Sequence, residues 1–361
     1  MRVLHIITRL NVGGTASWLD QLSLSLQKSG HEVRILTGIT DKNEIPDVMS
    51  SECDIRYIHT LNKSSNFFQD LYSFWMIRKE IKLFNPTIIN THTSKAGLLT
   101  RLANITLLYQ RPKLVHTLHG HLLYGYFPKW KIRLIIGVER FLGLFTDLVL
   151  VPGKNVATEA ESARLINHRK VIQVVPGVPI PSTPRLSQES QRLRVGWLGR
   201  LTQIKRPDRV IELAKMFPDV DFFVGGDGEL MRSLQDACPS NMYLEGWVEA
   251  DEFWSRIDIA LLTSDNEAMP ISLIEAGMLG LPAVTTNVGS TSEVVVNNKS
   301  GLVVGTNTSD LADALGKLIK SPELRAEYGE NARTFTTSNF SPKNQLETHL
   351  RAYEIALGMK Q

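Results

Sequence analysis

Glu267 and Glu275 stand eight positions apart in the run Thr263-Ser-Asp-Asn-Glu267-Ala-Met-Pro-Ile-Ser-Leu-Ile-Glu275. A carboxylate accepts hydrogen bonds from hydroxyls, and beside a reacting carbon it acts as nucleophile or charge stabiliser. Plainer roles compete: Glu275 as an exposed helix residue and Glu267 as an N-terminal capping carboxylate. Upstream, Gly199-Arg200-Leu201-Thr-Gln-Ile-Lys205-Arg206-Pro207 offers two or three cations from one loop. Arg200 as a bidentate fork and Lys205 as a point charge would neutralise a diphosphate, unless the loop is only a solvated basic surface.

Further loops carry weaker signals. Thr8-Arg-Leu-Asn-Val-Gly13-Gly14-Thr15 would let the backbone approach a phosphate at the positive end of a helix, or is simply a tight turn. It is not Gly-x-Gly-x-x-Gly, and no acidic residue ends the second strand, so a dinucleotide site is poorly supported. Gly225-Gly-Asp-Gly228 would shape a nucleotide cleft or serve as a plain turn, and Gly246-Trp-Val248 would offer backbone groups to a base edge. His116, His119 and His121 crowd one strand end but need not converge, and no Cys or nearby carboxylate completes a metal site. His119 is the stronger candidate as a pocket histidine, with His92 and Lys95 as further candidates.

These loops need strands to hold them. Apolar runs at 3–7, 32–36, 87–90, 113–118, 148–151 and 171–174 read as strands separated by amphipathic helices. A second series covers 194–198, 221–224, 242–245, 259–262, 283–286 and 302–304. Strict alternation of strand and helix predicts parallel sheets covered on both faces. Ile259 to Leu262 gives way to a helix opening at Pro270, which places Glu267 at a strand's carboxyl end and Glu275 about two turns further on, facing the same mouth. A Pro- and Ser-rich stretch over 176–189 reads as an interdomain linker. The expected organisation is α/β, with two Rossmann-like doubly wound domains facing across a cleft. Residues 1–178 form the first domain and 192–340 the second, and a C-terminal helix over 341–361 crosses back to the first.

Composition sets outer limits. The 361 residues suffice for two domains, and 43% hydrophobic with 21% charged residues suits a soluble globular enzyme. A net charge of +3 is too small to argue for nucleic acid, yet compatible with an anionic ligand or membrane surface. Cys53 and Cys238 lie far apart without metal-ligand spacing, which suggests a reduced compartment. Met1 to Thr8 reads as a first strand and not a signal peptide, and the most apolar stretch, 132–151, is broken by Arg133, Glu139, Arg140 and Asp147. No transmembrane helix is expected.

Taken together, these motifs resemble glycosyltransferase family 4, retaining enzymes of the GT-B fold, over nearly the whole chain. The resemblance rests on Asn11-Val-Gly-Gly14, Gly30-His-Glu-Val33, Thr91-His-Thr-Ser-Lys-Ala-Gly97, His116-Thr-Leu-His-Gly-His121, Gly199-Arg-Leu201 with Lys205, Gly226-Asp-Gly228, and Glu267 to Glu275 followed by Gly280-Leu-Pro282. It implies that Arg200 and Lys205 bind a donor diphosphate, that Glu275 holds the ribose hydroxyls, and that Glu267 lies by the donor sugar. It also implies that the amides of Ala268, Met269 and Ile271 hold sugar hydroxyls and phosphate, and that His119 contacts the sugar near its reacting face. Gly14, with Gly13, would approach the diphosphate, and Val248 would meet the base. No cofactor or metal is implied beyond the nucleotide-sugar substrate. The chain departs from the family pattern at Ala268, where Gly is usual, at Gly277, where Met is common, and at Ser290, where a second Gly follows Gly289. Val175-Pro-Gly-Val178 lacks the usual Asn before Gly.

The implied activity is transfer from a nucleotide-diphosphate sugar to a hydroxyl of a saccharide or polyprenyl-linked saccharide in surface polysaccharide synthesis. The implied setting is the cytoplasm or the inner face of the cytoplasmic membrane. Tyr124-Gly-Tyr-Phe-Pro-Lys-Trp-Lys-Ile-Arg133 interleaves aromatics with cations, as a surface touching anionic lipid would, or is an ordinary solvated loop and helix start. Competing functions are a GT-B-fold nucleotide-sugar epimerase, a non-catalytic nucleotide-binding protein and, disfavoured by its incomplete fingerprint, a nicotinamide oxidoreductase.

Overall fold

A computed structural model describes residues 1–11, 13–40, 49, 53–64, 66–107, 111–120, 129–164, 170–181 and 192–359. The chain divides into two compact units, one of Met1–Gly177 with Pro342–Gln361 and the other of Val178–Ser341. From residue 182 to 189 the stretch expected as a linker lies outside the described residues.

The first unit is built on a seven-stranded parallel sheet in the order β3-β2-β1-β4-β5-β6-β7. Its strands are β1 (Arg2–Arg9), β2 (Glu32–Gly38), β3 (Asp54–Tyr57), β4 (Ile88–Thr91), β5 (Lys113–Thr117), β6 (Leu148–Val151) and β7 (Val171–Gln173). Every residue of β4 and β6 is buried, because helices cover both faces and the strands read as unbroken apolar runs. The short strand β3, Asp-Ile-Arg-Tyr, was not expected from the sequence. It is a half-exposed edge strand, where charged side chains are tolerated and no apolar run is required.

Five helices of this unit join successive strands: α1 (Gly14–Lys28), α2 (Phe67–Phe84), α3 (Ser94–Ile105), α4 (Lys129–Gly143) and α5 (Lys154–Ser162). Asn66 caps α2, its Oδ1 accepting from the amides of Phe68 and Gln69 at 3.1 and 3.2 Å. One core layer packs Ile77, Ile81 and Phe84 of α2 and Ala96, Leu99 and Ala103 of α3 against Leu4 and Ile6 of β1.

In the second unit a six-stranded parallel sheet runs β10-β9-β8-β11-β12-β13. Its strands are β8 (Arg194–Leu198), β9 (Asp221–Gly225), β10 (Met242–Gly246), β11 (Ile259–Leu262), β12 (Ala283–Thr286) and β13 (Gly301–Val304). The helices are α6 (Asp208–Met216), α7 (Met231–Ala237), α8 (Ala250–Ser255), α9 (Ile271–Met278), α10 (Thr291–Val294), α11 (Thr308–Lys320) and α12 (Pro322–Asn339). Trp197, Phe222, Leu261 and Leu315 are among the buried residues of its core.

The last helix, α13 (Pro342–Leu357), belongs to the first unit. Gln345 donates to the Trp18 carbonyl at 3.0 Å and the Tyr353 hydroxyl accepts from Asn90 at 2.8 Å. In each sheet strand order reverses at one point, between β1 and β4 in the first and between β8 and β11 in the second. Loops leaving the carboxyl ends of such strands diverge and open a crevice for ligands.

Candidate active site

The loops after β8 and β11 carry the charged residues of the second unit. Gly199 donates to the Gly225 carbonyl at 3.1 Å, Leu201 to Asp227 at 2.9 Å and Gly226 to Gly246 at 2.6 Å, so three neighbouring loops are stitched through their backbones. A Cβ at Gly226, whose φ is +124°, would lie 1.9 Å from the Gly199 carbonyl oxygen. The Gly225–Gly228 turn is thus built for close approach to the cationic loop.

A 3₁₀ turn, Gln203–Lys205, then directs the cations apart. Lys205 Nζ lies 2.6 Å from Glu267 Oε1, which also accepts from Ser264 Oγ at 2.6 Å. Arg206 instead pairs with Asp208 at 2.7 Å and Asp265 at 3.2 Å, so it braces the loop. Arg200 is exposed, and its guanidinium has no partner among the described residues. Of the two or three cations this loop was expected to offer, Arg200 is unengaged among the described residues, Lys205 is held by Glu267, and Arg206 is structural.

Glu267 is 6% exposed. Its surroundings fix its place: Asp265 N donates to Ile204 O at 2.8 Å, and the Thr263 hydroxyl donates to the Lys205 and Arg206 carbonyls at 3.0 and 2.8 Å. The Trp197 indole supports Thr263 at 3.0 Å. Behind it, Ser290 N donates to the Glu267 carbonyl at 3.2 Å, and a Cβ at Gly289 would fall 1.5 Å from that same oxygen. Pro270, the residue before α9, provides no side-chain cap to the helix. Ala268 and Met269 donate to no backbone carbonyl among the described residues, and Ile271 opens the helix with its N–H unpaired within the first turn.

Glu275 occupies a different environment. It keeps some exposed surface while its carboxyl group is enclosed against α8, and burial pushes that carboxyl up to about 8. The Trp254 indole opposes the rise and Asp251 adds to it. The two glutamates thus differ in state: Glu267 sits in an ion pair, while Glu275 carries a proton near neutral pH. Val248, half-buried beyond β10, packs so near Gly225 that a Cβ there would lie 2.7 Å from its Cγ2.

In the first unit, Gly13 and Gly14 are exposed at the start of α1, which has no capping side chain and no acidic residue in its first turn. His119, half-buried beyond β5, points its Nε2 at His92 Nδ1 at 2.9 Å. His116 bonds the Thr91 hydroxyl at 2.7 Å instead, while His121 lies outside the described residues. Lys95, expected beside His92 in a pocket, is turned to Asp70 and the Ser64 carbonyl, both at 2.5 Å. Sequence reasoning missed His5 and Trp254. A polar residue inside the apolar strand Val-Leu-His-Ile-Ile was a signal for the first, and nothing local marks the second.

The profile described as Glycosyltransferase Family 4 matches residues 12–180, and that described as Glycosyl transferases group 1 matches 184–335. The chain belongs to glycosyltransferase family 4. This glycosyltransferase is 25% identical over 356 residues to the O-antigen biosynthesis glycosyltransferase WbnH of Escherichia coli, covering 98% of each chain. It is 26% identical over 300 residues to a UDP-Gal:alpha-D-GlcNAc-diphosphoundecaprenol alpha-1,3-galactosyltransferase of Escherichia coli, covering 75% and 76%. Among solved structures, sucrose-phosphate synthase from Thermosynechococcus elongatus superposes with a TM-score of 0.84 at 16% identity over 100% of both chains, which shows the shared GT-B fold.

One departure from the family pattern has a packing reason, and a second stands beside Glu267. A Cβ at Gly277 would lie 2.6 Å from Thr336 Cγ2, so the glycosyltransferase keeps a hydrogen where α12 crosses α9. Ser290 is fully buried, with its hydroxyl unpartnered among the described residues directly behind the Glu267 loop.

Proposed function

We propose that this glycosyltransferase moves a sugar from a nucleotide-diphosphate sugar to a hydroxyl of a saccharide or lipid-linked saccharide in surface polysaccharide synthesis, with retention at the anomeric carbon and without a bound metal. The observation that carries this is the pairing of half-buried Lys205 with buried Glu267, 2.6 Å apart, with Arg200 and the amides of Ala268, Met269 and Ile271 unengaged among the described residues. Arg200 and Lys205 neutralise the leaving diphosphate, with the positive end of α9 adding to their field. Those charges supply what a divalent cation otherwise would.

In the reaction the bond from the anomeric carbon to the phosphate oxygen breaks, and its electron pair leaves with the nucleoside diphosphate. The acceptor oxygen attacks from the same face and passes its proton to the departing phosphate. Glu267 lies by the sugar and stabilises the positive charge that develops there, held by Lys205 and Ser264 against rotation. Ala268, Met269 and Ile271 offer amides to sugar hydroxyls and phosphate, Glu275 takes the ribose hydroxyls, and Val248 meets the base. From the first unit, His119 contacts the sugar, and Gly13 and Gly14 give the diphosphate a close backbone approach at the start of α1.

A lipid-linked acceptor is supported by the outer face of α2. Phe67, Phe68, Leu71, Tyr72 and Trp75 are 45–80% exposed, and Lys79 and Lys82 follow on the same side. The face of α4 is similar, with Trp130, Leu134 and Phe141, and Leu144 just past its end, exposed beside Arg133 and Arg140. Aromatic and aliphatic groups of this kind enter the headgroup boundary while cations meet anionic lipid. Of the stretch 124–133 expected to touch lipid, residues 124–128 lie outside the described residues. Among the described residues no helix is long and apolar enough to cross a membrane. The related galactosyltransferase carries a diphosphoundecaprenol acceptor in its name, which supports the same class here.

Incubation with a panel of nucleotide sugars, with and without polyprenyl-diphosphate saccharides, tests the reading. Release of nucleoside diphosphate that depends on acceptor is expected. Interconversion of two sugars from donor alone would instead identify an epimerase, and tight donor binding without turnover a binding protein.

A further inference from the structure

Three histidines of the first unit form one hydrogen-bonded line, His5 from β1 and His92 and His119 from just beyond the carboxyl ends of β4 and β5. His5 Nδ1 lies 2.9 Å from His92 Nε2, and His92 Nδ1 lies 2.9 Å from His119 Nε2. Trp18 sets its ring at right angles to His119 at 5.2 Å, and His349 of α13 lies 5.8 Å beyond that indole. Burial is the main cause that holds His5 and His119 down to about 3, with His349 adding to both, so the rings are neutral at physiological pH. His92 is held well below its ordinary value mainly by burial, with its histidine neighbours adding to it, and among the described residues no carboxylate acts on the line.

A neutral imidazole has one N–H and one bare nitrogen. In a line of such rings, the direction of one hydrogen bond therefore dictates the next. If protons point outward, His5 Nδ1 donates to His92 Nε2, His92 Nδ1 donates to His119 Nε2, and His119 keeps its own proton on Nδ1. Reversed, each donor becomes an acceptor and His5 must bury an N–H at Nε2. That atom is enclosed and without a partner among the described residues. An orphaned buried N–H is rarer in folded proteins than an under-satisfied acceptor, so the outward direction is favoured. At the other end, His119 Nδ1 also has no partner among the described residues.

We infer that His5 and His92 are positioning residues that hold His119 as the Nδ1–H tautomer, so that a neutral ring offers an N–H donor, and not a base, to an oxygen of the donor sugar. The inference rests on His119 as the sugar contact of the proposed reaction. With the proton on Nδ1, the ring donates to a lone pair of a sugar hydroxyl and no proton changes hands. With the opposite tautomer the ring would accept from that hydroxyl, and the polarity of sugar recognition would invert.

The full-length chain labelled with ¹⁵N-histidine tests this by long-range ¹H–¹⁵N correlation, with rings assigned from single substitutions. His92 and His119 are expected as neutral Nδ1–H tautomers from pH 6 to 8; an Nε2–H His119 would overturn the proposal, whatever any variant does. In His92→Asn the side-chain amide sits where Nδ1 was and still donates, so the His119 tautomer and most of the turnover survive. His92→Leu removes the donor, and a loss on the order of tenfold in kcat with little change in donor KM is expected. Equal activity of the Asn and Leu variants, with both folded, would also overturn it. If instead His119→Ala keeps full turnover, the sugar-contact reading fails, while the spectrum still decides the tautomer.

Discussion

At the scale of single residues, Glu267 before α9 and Glu275 within it have different work because they have different neighbours. Lys205 and Ser264 grip Glu267, and removing Lys205 leaves a buried carboxylate alone and the leaving group unneutralised. Lys205→Ala is expected to lower kcat by about 100- to 1000-fold, measured as nucleoside diphosphate release. Glu275 is different, since its folded-state carboxyl titrates near 8 and an unfolded one near its ordinary value of 4.5. The folded chain therefore holds a proton that the unfolded chain has lost, and this group's contribution to stability falls as pH rises from 4.5 to 8. Glu275→Gln is expected to flatten that part of the pH–stability curve in urea melts and to raise the melting temperature at pH 8. The same substitution should weaken donor binding. In the unmodified enzyme donor KM should fall as pH climbs through 8, because the charged carboxylate is the better acceptor for ribose hydroxyls.

Elements position these residues through contacts that leave little space. The crossing of α9 and α12 depends on the hydrogen of Gly277, with Thr336 Cγ2 only 2.6 Å from where a methyl would stand. Gly277→Ala is expected to destabilise the fold by roughly 1–3 kcal/mol through overpacking. In a Thr336→Ala background the clash is gone, and the better helix propensity of alanine, about 1 kcal/mol, should make the same change stabilising. Denaturant titration of the four chains reads the reversal. On the outer face of α2, Phe67, Phe68 and Trp75 stay largely exposed. Replacing all three by serine should abolish flotation with anionic vesicles while leaving the melting temperature and turnover of a water-soluble acceptor near those of the parent.

For the whole molecule, pH acts through a buried set of histidines. Burial holds His5, His92, His116, His119 and His349 below their ordinary value of 6.5 in the folded chain, and neighbouring positive charge adds to it at all but His349. Unfolding lets each bind a proton, so the stability they contribute is present above pH 6.5 and is lost as pH falls toward 4 and below. A urea midpoint that falls steeply between pH 6.5 and 4 is expected, and a flat profile there would contradict the buried neutral rings. The same histidines tie the last helix to the first unit. Truncation after Ser341 removes His349, the Tyr353 bond to Asn90 and the Gln345 bond to Trp18, and should cost the first unit its cooperative melt.

Much of this was legible in the residues alone. Apolar runs separated by amphipathic segments announced nearly every strand of both sheets, since burial on two faces demands such runs locally. The edge strand β3 was invisible for the same reason in reverse, because an edge needs no apolar run. Glycine turns and strand ends also marked Arg200, Lys205, Glu267 and His119 as candidates, since ligand loops leave strands at one edge. What residues meet there was not local. Lys205 reaches Glu267 across 62 positions and His5 reaches His92 across 87, distances closed only by the strand orders that put β8 beside β11 and β1 beside β4. Tertiary structure alone decided that Arg206 braces its loop, that Glu275 is enclosed and protonated, and that three scattered histidines share one line. Charge state and hydrogen-bond direction follow from the solvent a fold excludes and the neighbours it supplies, and neither is written in the spacing of a sequence.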